Sequence, residues 1–211
     1  MTDWTATAAG LATAAGTLIL AGATFSSIRS SQRATRATEA ALLAGIRPVL
    51  VPSRLEDPMQ KISFVDERWV HLPGGRAVAE VTDDAIYLVM SLRNVGNGLA
   101  VLDRWDLIPE RAQTERSNSD VEGFRRLSRD IYVPAGDLGF WQGALRDPTD
   151  PLFAAARRAI TERRTLTIDL LYGDHDGGQR TISRFAFLPV GDAEWLATVA
   201  RHWNLDRPDP R

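Results

Sequence analysis

Cysteine is absent from the 211 residues, which excludes a disulfide framework, a thiolate zinc centre, an iron–sulfur cluster and a cysteine nucleophile. Lysine is nearly absent: Lys61 stands alone among 25 basic residues. An excess of positive charge is missing too, because 27 acidic residues leave the chain at a net charge of −2. A protein that grips nucleic acid through its phosphates needs that excess, so no nucleic-acid partner is expected. There is no G-x-S-x-G elbow, P-loop or dinucleotide fingerprint, which removes the usual marks of serine hydrolases and nucleotide-binding enzymes. The three histidines, His71, His175 and His202, never fall at the short spacings of a helical or hairpin zinc site. No cofactor is expected.

Charge is also missing from a long N-terminal stretch. No Asp, Glu, Lys or Arg occurs from Trp4 to Ile28, and as a helix this stretch reaches about 37 Å, enough for a hydrocarbon core of about 30 Å. A secretory signal would carry a positive n-region, whereas this chain begins Met1-Thr2-Asp3-Trp4. Residues 1–28 therefore read as a single-pass transmembrane helix. Arg29, Arg33 and Arg36 follow it and no basic residue precedes it, so the positive-inside rule puts the remaining chain in the cytoplasm of a bacterial cell. Small residues four apart, Ala6, Gly10 and Ala14 or Ala8, Ala12 and Gly16, would let two such helices approach closely, a route to a homo-oligomer. Residues 29–45 lack Pro and Gly until Gly45 and read as a helical juxtamembrane stalk.

Beyond the stalk the pattern changes to period two. Pro48 forces extended backbone at Arg47, and Val49-Leu50-Val51 reads as a first strand with Val49 and Val51 facing the core. From Ala85 to Arg93 one face carries Ile86, Leu88, Met90 and Leu92, the mark of a half-buried strand. Asn94-Val95-Gly96-Asn97-Gly98 then predicts a hairpin turn, with the chain returning from Leu99 to Ile108. A second hairpin is predicted from Thr165–Tyr172 and Gln179–Leu188 around Gly173-Asp174-His175-Asp176-Gly177-Gly178. Asp150-Pro151 opens a helix to about Arg163, and Asp192 is expected to cap another that turns Trp195, Leu196, Val199 and Trp203 inward. The polar stretch from Glu110 to Arg126 reads as a mobile insertion. About eight strands predict a mainly β domain over residues 46–205, an antiparallel immunoglobulin-like β-sandwich with one or two added helices, and a Pro-rich tail over residues 206–211.

The uncharged span, the Arg/Ala/Glu-rich stalk, Arg47-Pro48-Val49-Leu50 and Asn94-Val95-Gly96-Asn97-Gly98-Leu99-Ala100 together resemble uncharacterised, membrane-anchored β-sandwich proteins of actinobacterial type. The resemblance covers the first half of the chain and implies an architecture; its motifs carry no catalytic residues. Many such sequences have proline where Leu99 stands.

Candidate chemistry is sparse. Asp174, His175 and Asp176 before Gly177-Gly178 look like the start of a calcium loop with an added nitrogen ligand. The residues that follow, Gln179-Arg180-Thr181, lack the acidic ligands of an EF-hand, and Asp and Gly equally suit a tight turn. Phe140 and Trp141 suit a core or an interface. Arg125, Arg126 and Arg129 form a basic knot that could face solvent or anionic head groups. The expected function is a membrane-anchored interaction or scaffolding protein with the lipid bilayer and an unidentified protein as partners. The rival is a membrane-tethered hydrolase or metal-dependent enzyme built on Asp174, His175 and Asp176.

Overall fold

The computed structural model describes residues 3–109 and 120–207, with the side chains of the first helix described at 16–17 and from 20 onward. The chain divides into two units, Met1–Gly45 and Ile46–Arg211.

The first unit is a single helix, α1 (Asp3–Gly45), 43 residues long. Its hydroxyls bond inward: Thr24, Thr35 and Thr38 donate to the carbonyls four residues back, at 2.8, 3.0 and 3.0 Å, which spares those polar groups the need for water. Arg29 sits over the Phe25 ring at 5.2 Å. Among the described residues, no helix is long and apolar enough to cross a membrane. The side chains of residues 4–15, Leu18 and Ile19 lie outside the described residues, and with them most of the expected span and of the small-residue stripe.

The second unit is mainly β. Its strands are β1 (Leu50–Pro52), β2 (Gln60–Ser63), β3 (Trp69–Leu72), β4 (Arg76–Val81), β5 (Ile86–Asn94), β6 (Ala100–Ile108), β7 (Arg125–Val133), β8 (Leu138–Leu145), β9 (Leu166–Gly173), β10 (Arg180–Val190) and β11 (Glu194–Asn204), with α2 (Pro151–Thr161) between β8 and β9. Nine strands form one antiparallel sheet in the order β1-β5-β4-β11-β10-β9-β6-β7, with β8 also on β5. One edge of β5 pairs with β8, and the other is shared by β4 at Ile86–Met90 and β1 at Leu92–Asn94. Arg129 of β7 donates to Gln142 of β8 at 3.2 Å, so the β7 end of the path approaches β8 and the sheet curls around its core.

That core holds Trp105, Trp141 and Phe187 in edge-to-face contacts, with centroids at 5.2 and 6.4 Å. Helix α2 starts where the Asp150 carboxylate accepts the Leu152 N–H and Pro151 occupies its first turn. It buries Phe153, Ala156, Ala159 and Ile160 in the same core, and burying Phe153 alone contributes about 1.5–3 kcal/mol. Strands β2 and β3 form a separate two-stranded sheet that packs Ile62, Phe64, Val70 and Leu72 against Ala85, Tyr87 and Val89. Strand β5 is thus covered on both faces and not half-buried as its alternation suggests, because Tyr87 and Val89 on its second face are buried under β2 and β3. A third cluster joins Phe124, Leu171, Ile182 and Trp203 on the outer side of the sheet.

Several expectations change. The helix after Asp192 is the strand β11, paired with β10 from Glu194 to Asn204. A bulge explains the helical look: Arg184 pairs Arg201 while Phe185 pairs Val199, leaving Ala200 over. The extra residue flips the alternation, so Trp195 joins the main core and Trp203 the outer cluster. Strands β5 and β6 are no hairpin, since β6 pairs β7 and β9. Asn94 turns the chain between layers instead: its Nδ2 donates to Gly98 O and Val133 O, and its Oδ1 accepts from Val49 and Gly96. Gly96 and Gly98 lie against the backbone of Ile46 to Val49, where any Cβ would collide. In β1 the register is shifted by one: Leu50 is fully buried while Val51 is half-buried. Of the insertion from Glu110 to Arg126, residues 110–119 lie outside the described residues. The remainder is ordered structure: a short 3₁₀ turn (Val121–Gly123) capped by Asp120, the buried Phe124 and the start of β7. The tail begins in a fixed position, because Asp206 takes a bidentate bond from Arg47; residues 208–211 lie outside the described residues.

Candidate binding groove

Strand β4 does not use its whole second edge. Thr82 N–H donates to Ala85 O at 2.8 Å, which sets the phase of the β4–β5 ladder: Val78 and Glu80 bond to β5, opposite Val89 and Tyr87, and the odd residues face the other way. On that side Ala77 pairs Trp195 and Ala197 N–H reaches Gly75 O at 3.2 Å. Ala79 and Val81 come next, and their N–H and C=O groups have no partner among the described residues. Beyond Trp195 the opposing chain turns away through Ala193 and Gly191, where φ is +55°.

The divergence opens a cavity of about 590 Å³, lined by Ala77, Val78, Ala79, Ala193 and Trp195 together with the polar His71, Arg76, Glu80 and Glu194. That is the size of a small-ligand or peptide site. Its walls are held from behind. Arg163 donates to the carbonyls of Val190, Gly191 and Glu194 at 3.2, 3.2 and 2.6 Å and lies 4.5 Å over the Trp195 ring. At the other end Ser53 Oγ accepts the Gly75 N–H at 2.9 Å and meets Ser91 Oγ at 2.6 Å. The neighbouring Asp57 carboxylate accepts the Arg54 N–H, which holds its pKa below the ordinary carboxylate value, and Arg93 adds to the effect. Charges around the rim are uneven. Glu194 pairs with Arg76 and Glu80 with Arg68, while Asp83, Asp84 and Asp192, which lie near the lining in sequence and not on it, have no ion-pair partner among the described residues.

The residues singled out from the sequence lie elsewhere. Asp174 is the cap of the β9–β10 hairpin: its Oδ1 accepts the Gln179 N–H at 3.1 Å and its carbonyl accepts the Gly177 N–H at 3.3 Å, with Gly177 at φ +73°. His175 and Asp176 are exposed beside it. Among the described residues no three His, Asp or Glu side chains gather where a metal could be held. Trp141 is fully buried, so it presents no interface; Phe140 is half-buried under Arg129, 5.1 Å away. Arg125 pairs with Asp150 at 2.6 Å, and Arg126 stands opposite Arg104. Arg29, Arg33 and Arg36 are exposed on α1.

Two buried polar groups escaped sequence reading. Asp169 and Arg184, both fully buried, form a bidentate ion pair at 2.7 and 2.7 Å across β9 and β10, with Arg184 4.8 Å over Trp203. Tyr172, Ser183 and His202 form a relay: Leu50 N–H donates to the Tyr172 hydroxyl, which meets Ser183 Oγ at 2.9 Å, which meets His202 Nδ1 at 2.6 Å. Burial pushes the Tyr172 pKa up and the His202 pKa down. Ser183 is fully buried with both neighbours already bonded to its hydroxyl, the geometry of an internal brace. The sequence signal for each was a polar residue inside an apolar alternation.

No protein-family model matches the chain, and no curated protein is similar to it. Among solved structures, a chain described as a protein from Archaeoglobus fulgidus is similar with 15% identity over 62% of this chain and 92% of that chain, at a TM-score of 0.24.

Proposed function

We propose that this chain is a single-pass, membrane-anchored interaction protein of a bacterial cell, with its β domain in the cytoplasm, and that the domain takes an extended segment of a protein partner along β4. The observation that carries the reading is the strand edge at Ala79 and Val81, whose N–H and C=O groups have no partner among the described residues, with Ala79 lining a cavity whose walls mix Ala77, Val78, Ala193 and Trp195 with Glu80, Arg76 and Glu194. Strand addition supplies main-chain bonds to such an edge, and pockets for alternate side chains give selectivity. Natural sheets usually guard an edge with Lys, Pro or a bulge, and Val78-Ala79-Glu80-Val81 has none of these. The unpaired Asp83, Asp84 and Asp192 favour a segment with basic flanks.

Anchoring rests on the absence of charge from Trp4 to Ile28 within a continuous helix, and orientation on Arg29, Arg33 and Arg36. The small-residue stripe supports pairing of two anchors. The finer fold reading, an immunoglobulin-like sandwich, is supported by the β2–β3 layer stacked on β5 and by the curl of the main sheet.

Ala79→Pro tests the reading, because it deletes an N–H that faces the cavity and leaves the β4–β5 ladder whole. With a photo-cross-linking side chain at Glu80, the full-length protein in its native membrane should give a discrete protein adduct, lost in Ala79→Pro. An adduct unchanged by the proline would refute strand addition. A carboxy-terminal reporter that works only when exported would refute the orientation.

A further inference from the structure

We infer that the seam between β7 and β8, where the curled sheet fails to close, is a binding site for a phosphate-type oxyanion. A cavity of about 190 Å³ opens there, lined by Trp105, Arg125, Arg126, Ser128, Gln142 and Arg146 among others. Three guanidinium groups and a hydroxyl on one small cavity are a donor set, and Arg is the side chain whose fork fits phosphate oxygens. Two of the guanidinium groups are held in place by carboxylates: Arg125 by Asp150 at 2.6 Å and Arg146 by Asp66 at 3.2 Å. Arg126 has no ion-pair partner among the described residues, and it stands opposite another cation, Arg104. Its charge is available to an incoming anion.

The second observation is independent of charge. Gln142 is 2% exposed, and its orientation is fixed because its Oε1 accepts from Arg129 Nη2 at 3.2 Å. Its Nε2 is left buried with no hydrogen-bond acceptor among the described residues. A buried amide donor without an acceptor is costly, because it has given up its bonds to water for nothing. An oxyanion in the cavity that Gln142 lines would satisfy that donor and meet Arg126 at the same time. Gly143 lies on the same lining, where a Cβ would press on Trp105 and Trp141 at 2.9 and 2.8 Å; the absence of that side chain makes room for the two indoles.

The shared chemistry is a tetrahedral oxyanion, supplied either free or as a phosphomonoester head group of a lipid. The test titrates the full-length protein, in zwitterionic detergent micelles, with inorganic phosphate and with short-chain phosphatidic acid, reading heat and tryptophan fluorescence. Saturable binding of one or both is expected. Phosphate binding at least as tight as that of phosphatidic acid identifies the free ion; tighter binding of phosphatidic acid identifies the head group. Arg126→Gln, at an exposed position, should weaken binding about tenfold, the loss of one charge-assisted hydrogen bond. Gln142→Glu, which keeps the acceptor for Arg129 but sets a carboxylate on the cavity, should abolish it. Near-ultraviolet circular dichroism checks that both variants are folded. Binding of neither ligand, or equal binding by wild type and Arg126→Gln, overturns the proposal. Neither outcome bears on the β4 edge, which is tested by the cross-linking of Ala79→Pro.

Discussion

Breaking the Asp169–Arg184 pair should unfold the domain far more readily than the loss of a surface ion pair would. Both side chains are fully buried, so Asp169→Leu leaves a guanidinium in a low-dielectric interior facing an apolar side chain. Arg184→Met leaves Asp169 directly opposite Asp106 in the β6–β9 ladder. Removing one partner of a buried pair costs about 3–5 kcal/mol, whereas replacing both by apolar side chains is often neutral or stabilising. For a domain of this size each kcal/mol moves Tm by roughly 2–4 °C, so each single variant should melt about 6–20 °C below wild type. The double variant Asp169→Leu/Arg184→Met should recover most of that loss. Thermal unfolding of the full-length protein, followed by near-ultraviolet circular dichroism, measures all four corners of the cycle. Single-variant losses below about 1 kcal/mol would show that the pair is solvated or redundant and refute the reasoning. A double variant that loses the sum of both singles would show that the two residues act independently.

Other outcomes follow from the fold. Leu50→Ala should cost about 2–5 kcal/mol, and Val51→Asp should cost distinctly less because Val51 is half-buried; equal losses by urea unfolding would contradict the β1 register. Burial holds the His202 pKa below its ordinary value, so the unfolded chain takes up the proton first. The corresponding stability is complete above about pH 6.5 and falls as pH drops toward the folded pKa. Tm should therefore decline from pH 7 to 5, and His202→Gln should flatten that decline; an unchanged slope would assign it to other groups. Gly98→Ala should prevent the domain from folding at 37 °C, because the new Cβ meets the Ile46 carbonyl; soluble expression of a native-like variant would place Ile46 elsewhere.

Local signals carried far in this sequence. Pro48 ends helix and begins strand through its own covalent chemistry, Asp150-Pro151 writes the start of α2, and Asp174 to Gly178 writes the β9–β10 turn, each within a few residues. What failed was nonlocal. The spacing of Trp195, Leu196, Val199 and Trp203 looks helical only because one bulged residue, Ala200, switches faces midway along β11. Asn94 to Gly98 has turn chemistry, but its partners are Val133 and the chain from Ile46 to Val49, so the turn changes layers instead of closing a hairpin. The candidate groove was illegible for a related reason: it exists where β4 outruns β11, and no sequence window contains both strands. At the β7–β8 seam the basic knot was visible, while the donor that gives it meaning, Gln142, sits more than a dozen residues away.

The free edge of β4 is tested most directly by amide hydrogen exchange, resolved by residue, on the full-length protein without a partner. Val78 and Glu80 bond to β5, and their amides should exchange slowly; those of Ala79 and Val81 lie on the unpaired edge and should exchange at least about a hundredfold faster, giving a two-residue alternation along one strand. Uniform protection from Val78 to Val81 would mean that the edge is already paired and would contradict a site for an added strand there.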